Sequence, residues 1–332
     1  MQLTDTIRDL FPGVLISGLI ALAAQFISEH YGAPAMLMAL LFGIALNFLS
    51  EEGRCKSGIA FSARTVLRFG VALLGVRISF EMAANLGWYM VALVIVGVIA
   101  TIGFGMLVAR LFGHGPRFAF LSAGSVAICG ASAAMAISAI LPKDERTEER
   151  LVFTVVGVTL LSTVAMILYP IFADMIGFET QLAGVFLGAT IHDVAQVVGA
   201  GFSMSEETGD VATVVKLIRV AMLAPVILVA SLVIRKYVTV EHAAERPPIV
   251  PLFVVAFVVL VTLNSFGLFP AVAIALAAEV SRWALLTAIA AVGLKTSLRD
   301  VIDVGGAAIA LLVVETVFIA ALTIIALLSI QG

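Results

Sequence analysis

The sequence predicts an all-α integral membrane protein with about eleven hydrophobic segments and inverted structural repeats. Three observations lead there. The 332 residues are 62% hydrophobic and only 12% charged, against roughly 25% charged in an ordinary soluble domain. Apolar runs recur from end to end, long enough at ~1.5 Å per residue to cross a ~30 Å hydrocarbon layer. One motif also occurs twice: Arg64, Gly75, Val76, Arg77, Ser79, Phe80 and Gly87 recur 218 positions later as Arg282, Gly293, Leu294, Lys295, Ser297, Leu298 and Gly305. A duplicated segment that keeps its cations and glycines in so apolar a chain marks an internally repeated membrane fold.

The segments run 11–28, 34–49, 59–79, 86–111, 118–141, 151–173, 180–202, 211–234, 249–265, 270–298 and 304–330. The first resembles a signal peptide, but it is long, has only Arg8 before it and leads directly into a second apolar run, so it reads as a retained helix. Polar clusters separate later segments: EEGRCKSG at 51–58, PKDERTEER at 142–150, SEETGD at 205–210 and RKYVTVEHAAERPP at 235–248. Little chain remains for a soluble domain. The expected organisation is one transmembrane domain over 1–332, with repeat halves near 34–173 and 180–330.

Orientation follows from the loop cations. If 118–141 and 180–202 are re-entrant hairpins, every Lys and Arg in a loop or at a segment end except Arg77 falls on the side of Arg8, which the positive-inside rule makes cytoplasmic. Arg77 and its repeat mate Lys295 then lie on opposite sides, as inversion requires. The two segments also resemble each other, sharing FL-x-A and VA…GA between FLSAGSVAICGA at 120–131 and FLGATIHDVAQVVGA at 186–200. Eleven simple crossings, or two helices broken at mid-membrane, are the alternatives.

These two segments hold the candidate site. Ser125, Cys129, Gly130 and Ser132 lie in a small-residue, hydroxyl-bearing stretch; non-helical backbone at that depth must line a polar cavity or be buried by protein. A helix start there would present free N–H groups to an anion, although small residues also serve simply to pack helices. In the second segment His192 and Asp193 are candidates for proton coupling, and Gln196, one turn from His192, for a hydrogen bond to substrate. Lys216 and Arg219 share a face of the next helix and either neutralise Asp193 or supply positive charge to an anion. Arg64 and Arg282 read as architectural, Arg282 with Glu279 as partner. Glu315, alone in the last segment, is a pair partner or a proton site.

Other chemistries find no support. The sequence has no Walker loop, paired metal-ligand spacing or nucleophile elbow, so neither an enzyme nor a primary pump is expected. Two cysteines, Cys55 and Cys129, make no disulfide framework, and a net charge of −3 does not suggest nucleic acid. No cofactor or metal is expected.

GSVAICGASAAMAI at 124–137, GATIHDVAQVVGAGF at 188–202, KLIRVAMLAP at 216–225 and GLKTSL at 293–298 resemble the YeiH-type family of bacterial inner-membrane proteins, described as sulfate exporters, over nearly the whole chain. The resemblance implies a secondary carrier of a small anion, such as sulfate, sulfite or a sulfonate, and distant similarity to bile-acid-symporter and cation/proton-antiporter folds with discontinuous crossing helices. It also favours a homodimer. Together with the residues, it leads to an expected bacterial inner-membrane carrier with a cytoplasmic N-terminus, coupled to H+ or Na+. A cation/proton antiporter, a channel or a sensory protein are the competing expectations.

Overall fold

The computed structural model describes residues 2–31, 33, 35–50, 53–79, 81, 84, 86–142, 144, 146–237, 252–296 and 306–331; their regular structure is entirely helical. Phe80, Ser297, Leu298 and Gly305 of the duplicated motif, Lys143, and positions 238–248 of the longest polar connection lie outside the described residues.

Among the described residues, seven helices are long and apolar enough to cross a membrane. The expected segments 34–49 and 249–265 are shorter helices of 11 and 14 residues, and 118–141 and 180–202 are each interrupted. Large apolar side chains stand exposed along the long helices, among them Leu19, Leu22, Val96, Ile99 and Leu228. Such surfaces are costly in water and suit lipid.

The chain forms two compact units, each drawing on both expected repeat halves. The first comprises Met1–Asn85, Val198–Asp210 and Leu252–Leu298; the second comprises Leu86–Val197, Val211–Pro251 and Arg299–Gly332.

The first unit contains α1 (Gln2–Tyr31), α2 (Ala35–Ala45), α3 (Gly53–Phe61), which continues through a π turn at Ser62–Val66 into α4 (Leu67–Leu74), α13 (Leu252–Ser265) and α14 (Ala271–Lys295). Its contacts come in reciprocal pairs. Asn47 Nδ2 donates to the Leu294 carbonyl at 2.7 Å, and Asn264 Nδ2 donates to the Ile78 carbonyl at 3.3 Å. A methyl group on Gly293 would collide with the Leu40 carbonyl; one on Gly75 would stand 2.5 Å from the Phe257 carbonyl. The motif glycines thus occupy matching positions where another helix's backbone passes too close for any side chain. Arg77 donates to Glu206 at 2.6 Å and Asp210 at 3.1 Å. Half-buried Arg282 pairs with Glu279 at 3.2 Å, the i−3 partner expected from the sequence.

The second unit contains α5 (Gly87–Val108), α6 (Pro116–Ala127), α7 (Ala131–Ile140), α8 (Thr147–Ile176), α9 (Thr180–Thr190), α12 (Leu223–Tyr237) and α15 (Gly306–Gln331). It also takes the first residues of α10 (Val194–Met204) and most of α11 (Glu206–Ala221). α6 and α7 form a hairpin. Arg117, at the start of α6, donates to Asp144 at 3.0 Å; Asp144 follows α7 and also accepts from Arg150 at 2.8 Å. A straight path of this length would separate those residues by over 30 Å at ~1.5 Å per residue. Cysteines at positions 117 and 144 should therefore be joined in high yield by a short flexible bismaleimide. Loss of that product, with both thiols reactive, would contradict the hairpin.

Candidate functional site

The breaks in the two interrupted segments meet within the second unit. Ile128, Cys129 and Gly130 separate α6 from α7, and Ile191, His192 and Asp193 separate α9 from α10. A methyl group on Gly130 would lie 3.7 Å from the Cβ atoms of both His192 and Asp193. Gly130 has φ +59° and ψ −125°, a conformation that strains any L side chain, so the reversal depends on glycine.

The C-terminal ends of α6 and α9 leave carbonyls without helical donors, and at membrane depth water cannot satisfy them. Two cations from α11 do so. Lys216 Nζ donates to the carbonyls of Ile128 at 2.8 Å and Ile191 at 2.9 Å. Arg219 donates through Nε to Ala127 at 2.9 Å, through Nη1 to Gly188 at 3.2 Å and Ile191 at 2.9 Å, and through Nη2 to Val126 at 2.7 Å. Both side chains are completely enclosed. Three positions apart on one helix, they share a face, and the negative ends of two helix dipoles favour them there. Gly188 admits α11 to this position, since a methyl group there would stand 2.5 Å from the Ala212 carbonyl.

The N-terminal ends at the two breaks differ. Asp193 Oδ1 accepts from the first N–H of α10, that of Val194, at 2.8 Å, while its own N–H donates to Ser162 at 3.0 Å. The first helical bond of α7 runs from Ala134 to the Gly130 carbonyl, and the Cys129 thiol lies against the Ala133 N–H. The N–H groups of residues 131–133 therefore precede the helical ladder, with half-buried Ser132 beside them.

A threonine hydroxyl holds the histidine ring. Thr316 donates its hydroxyl proton to the Leu312 carbonyl at 2.7 Å, so its oxygen accepts from His192 Nε2 at 2.9 Å. The other ring nitrogen, Nδ1, is fully buried and lies near the Val126 carbonyl without a well-formed hydrogen bond. Gln196 Nε2 reaches Thr163 at 3.4 Å, and its Oε1 is buried without a partner.

Several sequence expectations change in detail. His192 lies in the break itself rather than a helical turn from Gln196. Ser125 donates to the Leu121 carbonyl at 2.5 Å, within its own helix, and Cys129 is a buried free thiol. The Lys216 and Arg219 hydrogen bonds described above go to backbone carbonyls, an arrangement neither sequence alternative anticipated, because which helix ends converge is not visible in one dimension. Ser162, Thr163 and Thr316 were missed; their only signal is a hydroxyl in the middle of an apolar helix.

Long apolar helices and interrupted elements around a buried polar cluster define a multi-pass, all-helical membrane protein. The chain belongs to the family described as Conserved hypothetical protein 698, the YeiH family, which matches residues 12–326. It is 60% identical over 319 residues to UPF0324 membrane protein TauZ of Paracoccus denitrificans, covering 96% of this chain and 94% of that protein. A second relative, UPF0324 membrane protein CT0845 of Chlorobaculum tepidum, is 51% identical over 315 residues, or 95% of this chain and 88% of that one. No solved structure matches the chain.

Proposed function

We propose that the chain is a secondary transporter, working as an exporter, of a small anion such as sulfate, sulfite or a sulfonate. The observation that carries this reading is the start of α7, where the N–H groups of residues 131 and 132 precede the helical ladder, beside a buried cluster with two cations, Lys216 and Arg219, against one carboxylate, Asp193. The anion takes the N–H groups of residues 131 and 132 and the Ser132 hydroxyl, with Lys216 offering the one of its three donors not engaged by carbonyls. Gln196 and His192 complete the site. Movement of the interrupted elements alternates access.

The parallel contacts of Asn47 with Leu294 and Asn264 with Ile78, and of Gly293 with Leu40 and Gly75 with Phe257, support internal repeats. The joined ends of the α6–α7 hairpin support a re-entrant element, and with it a cytoplasmic N-terminus in the bacterial inner membrane. Proton coupling is favoured over sodium, because five carbonyls at the breaks already accept from Lys216 and Arg219. Nδ1 of His192, near the Val126 carbonyl, offers a place for a proton.

The test is uptake of radiolabelled sulfate and sulfite into proteoliposomes, with and without a pH gradient. Lys216→Gln keeps two N–H donors for the two carbonyls and removes the charge, so it should fold and lose saturable uptake by about tenfold or more. Unchanged anion uptake with altered pH dependence of cation exchange would instead mark a cation/proton antiporter that uses Asp193.

A further inference from the structure

We propose that Glu315 is a proton-coupling site, held as a carboxylic acid in this conformation and joined through its helix to both interrupted elements; the coupling role rests on the transporter reading above. Glu315 lies in α15, fully buried, with Oε1 2.9 Å from Ser122 Oγ on the α6–α7 hairpin and Oε2 without a partner. Ser122 Oγ is also 3.2 Å from the Ala119 carbonyl. Two contacts between oxygens need two protons, and serine has one. The second contact is completed if Glu315 carries the other: Oε1–H donates to Ser122, and Ser122 donates to Ala119. An ionised Glu315 would take the serine proton and leave the Ala119 contact empty.

The surroundings provide no compensating charge. Among the described residues no cation lies within 4.0 Å of this carboxyl, and an isolated carboxylate at membrane depth is expensive. A methyl group on Gly105 of α5 would strike both Glu315 and Ala123, so the carboxyl is sealed where α5, α6 and α15 touch. The other packed elements bring little. α9 has no titratable residue, and Tyr89, Arg110, Arg117 and the 148–150 cluster stand near element ends. Of the two titratable residues nearer the far end of α8, Asp174 lies in the last turn and Tyr169 lies against Phe186, the ring centres 5.3 Å apart. His114 sits outside α6, against Phe118.

One titratable group is connected to Glu315. The next residue, Thr316, accepts from His192 Nε2 at 2.9 Å. Two adjacent residues of α15 therefore contact the α6–α7 hairpin through Ser122 and the α9–α10 break through His192. Displacement of the hairpin would withdraw Ser122 and admit water; the Oε1–H bond then breaks and the proton passes to that water. Its presence or absence in turn sets whether Ser122 can return with both contacts made. Proton and anion sites are thereby linked without sharing an atom.

Two measurements on the full-length protein in lipid test this. Infrared difference spectra across a pH titration should show the carbonyl stretch of a protonated buried carboxyl at pH 7 in wild type. That band should bleach reversibly at higher pH and be absent from Glu315→Gln, which has the shape of the neutral acid; Ser122→Ala should shift it. A Glu315 that is ionised at pH 7, or a band that never bleaches, would overturn the proposal. In proteoliposomes with sulfite, Glu315→Gln should retain anion exchange and lose accumulation driven by a pH gradient by at least about tenfold. Undiminished gradient-driven accumulation in that variant would remove the proton site and keep the anion reading. A titrating Glu315 band in wild-type protein that moves neither sulfate nor sulfite would keep the proton site and remove the anion reading.

Discussion

Arg219→Ala is expected to cost more stability than any other charge deletion in the chain. It would strip donors from four buried carbonyls, those of Val126, Ala127, Gly188 and Ile191; Ile191 keeps a second donor in Lys216. At about 1 kcal/mol or more for each lost bond, the loss is on the order of 4 kcal/mol. By the few degrees per kcal/mol typical of larger domains, this corresponds to a fall of roughly 10 °C in melting temperature in detergent. Arg219→Lys should restore little, because an ammonium lacks the planar fork that reaches Nε and Nη partners together. Arg146→Ala, which removes only an exposed pair with Glu149, should change the melt little. Equal melts for Arg219→Ala and Arg146→Ala would show that the carbonyl crown does not hold the breaks together.

Gly293→Ala should be comparably severe for a steric reason. The added methyl meets the Leu40 carbonyl and lies 2.9 Å from Gly43 Cα, so backbone rather than a flexible side chain stands in its way. α14 and α2 must then move apart, and folded protein recovered in detergent should fall several-fold. Gly75→Ala, facing the Phe257 carbonyl at 2.5 Å, should behave alike. Gly103→Ala meets nothing within 4 Å and should be neutral or stabilising by up to about 1 kcal/mol from helix propensity. The steric argument fails if Gly293→Ala and Gly103→Ala express and melt alike.

Much of the fold was legible because lipid imposes a simple rule. Hydrophobic length and spacing revealed where helices run, and the seven long helices fall on expected segments. The interruptions were legible too, since Gly130 and His192-Asp193 are poor continuations of an apolar helix. The duplicated motif was readable, and the reciprocal backbone approaches at Gly75 and Gly293 give it a physical basis: glycine recurs where a neighbouring carbonyl leaves no room. Glu315 was visible as an isolated acid, but Ser122, 193 positions away, could not be matched to it by any local pattern.

By itself, then, the sequence determined the solvent this protein lives in, the places where its helices must break and the residue types available at those breaks. Each of these follows from local composition and backbone chemistry. Only the tertiary structure decided how those residues are used. Convergence of two helix C-termini on α11 gave Lys216 and Arg219 carbonyl partners, and the approach of α15 gave His192 a hydroxyl partner and enclosed Glu315. Such pairings join residues far apart in the chain, and their donors and acceptors are interchangeable until packing brings particular ones within 3 Å.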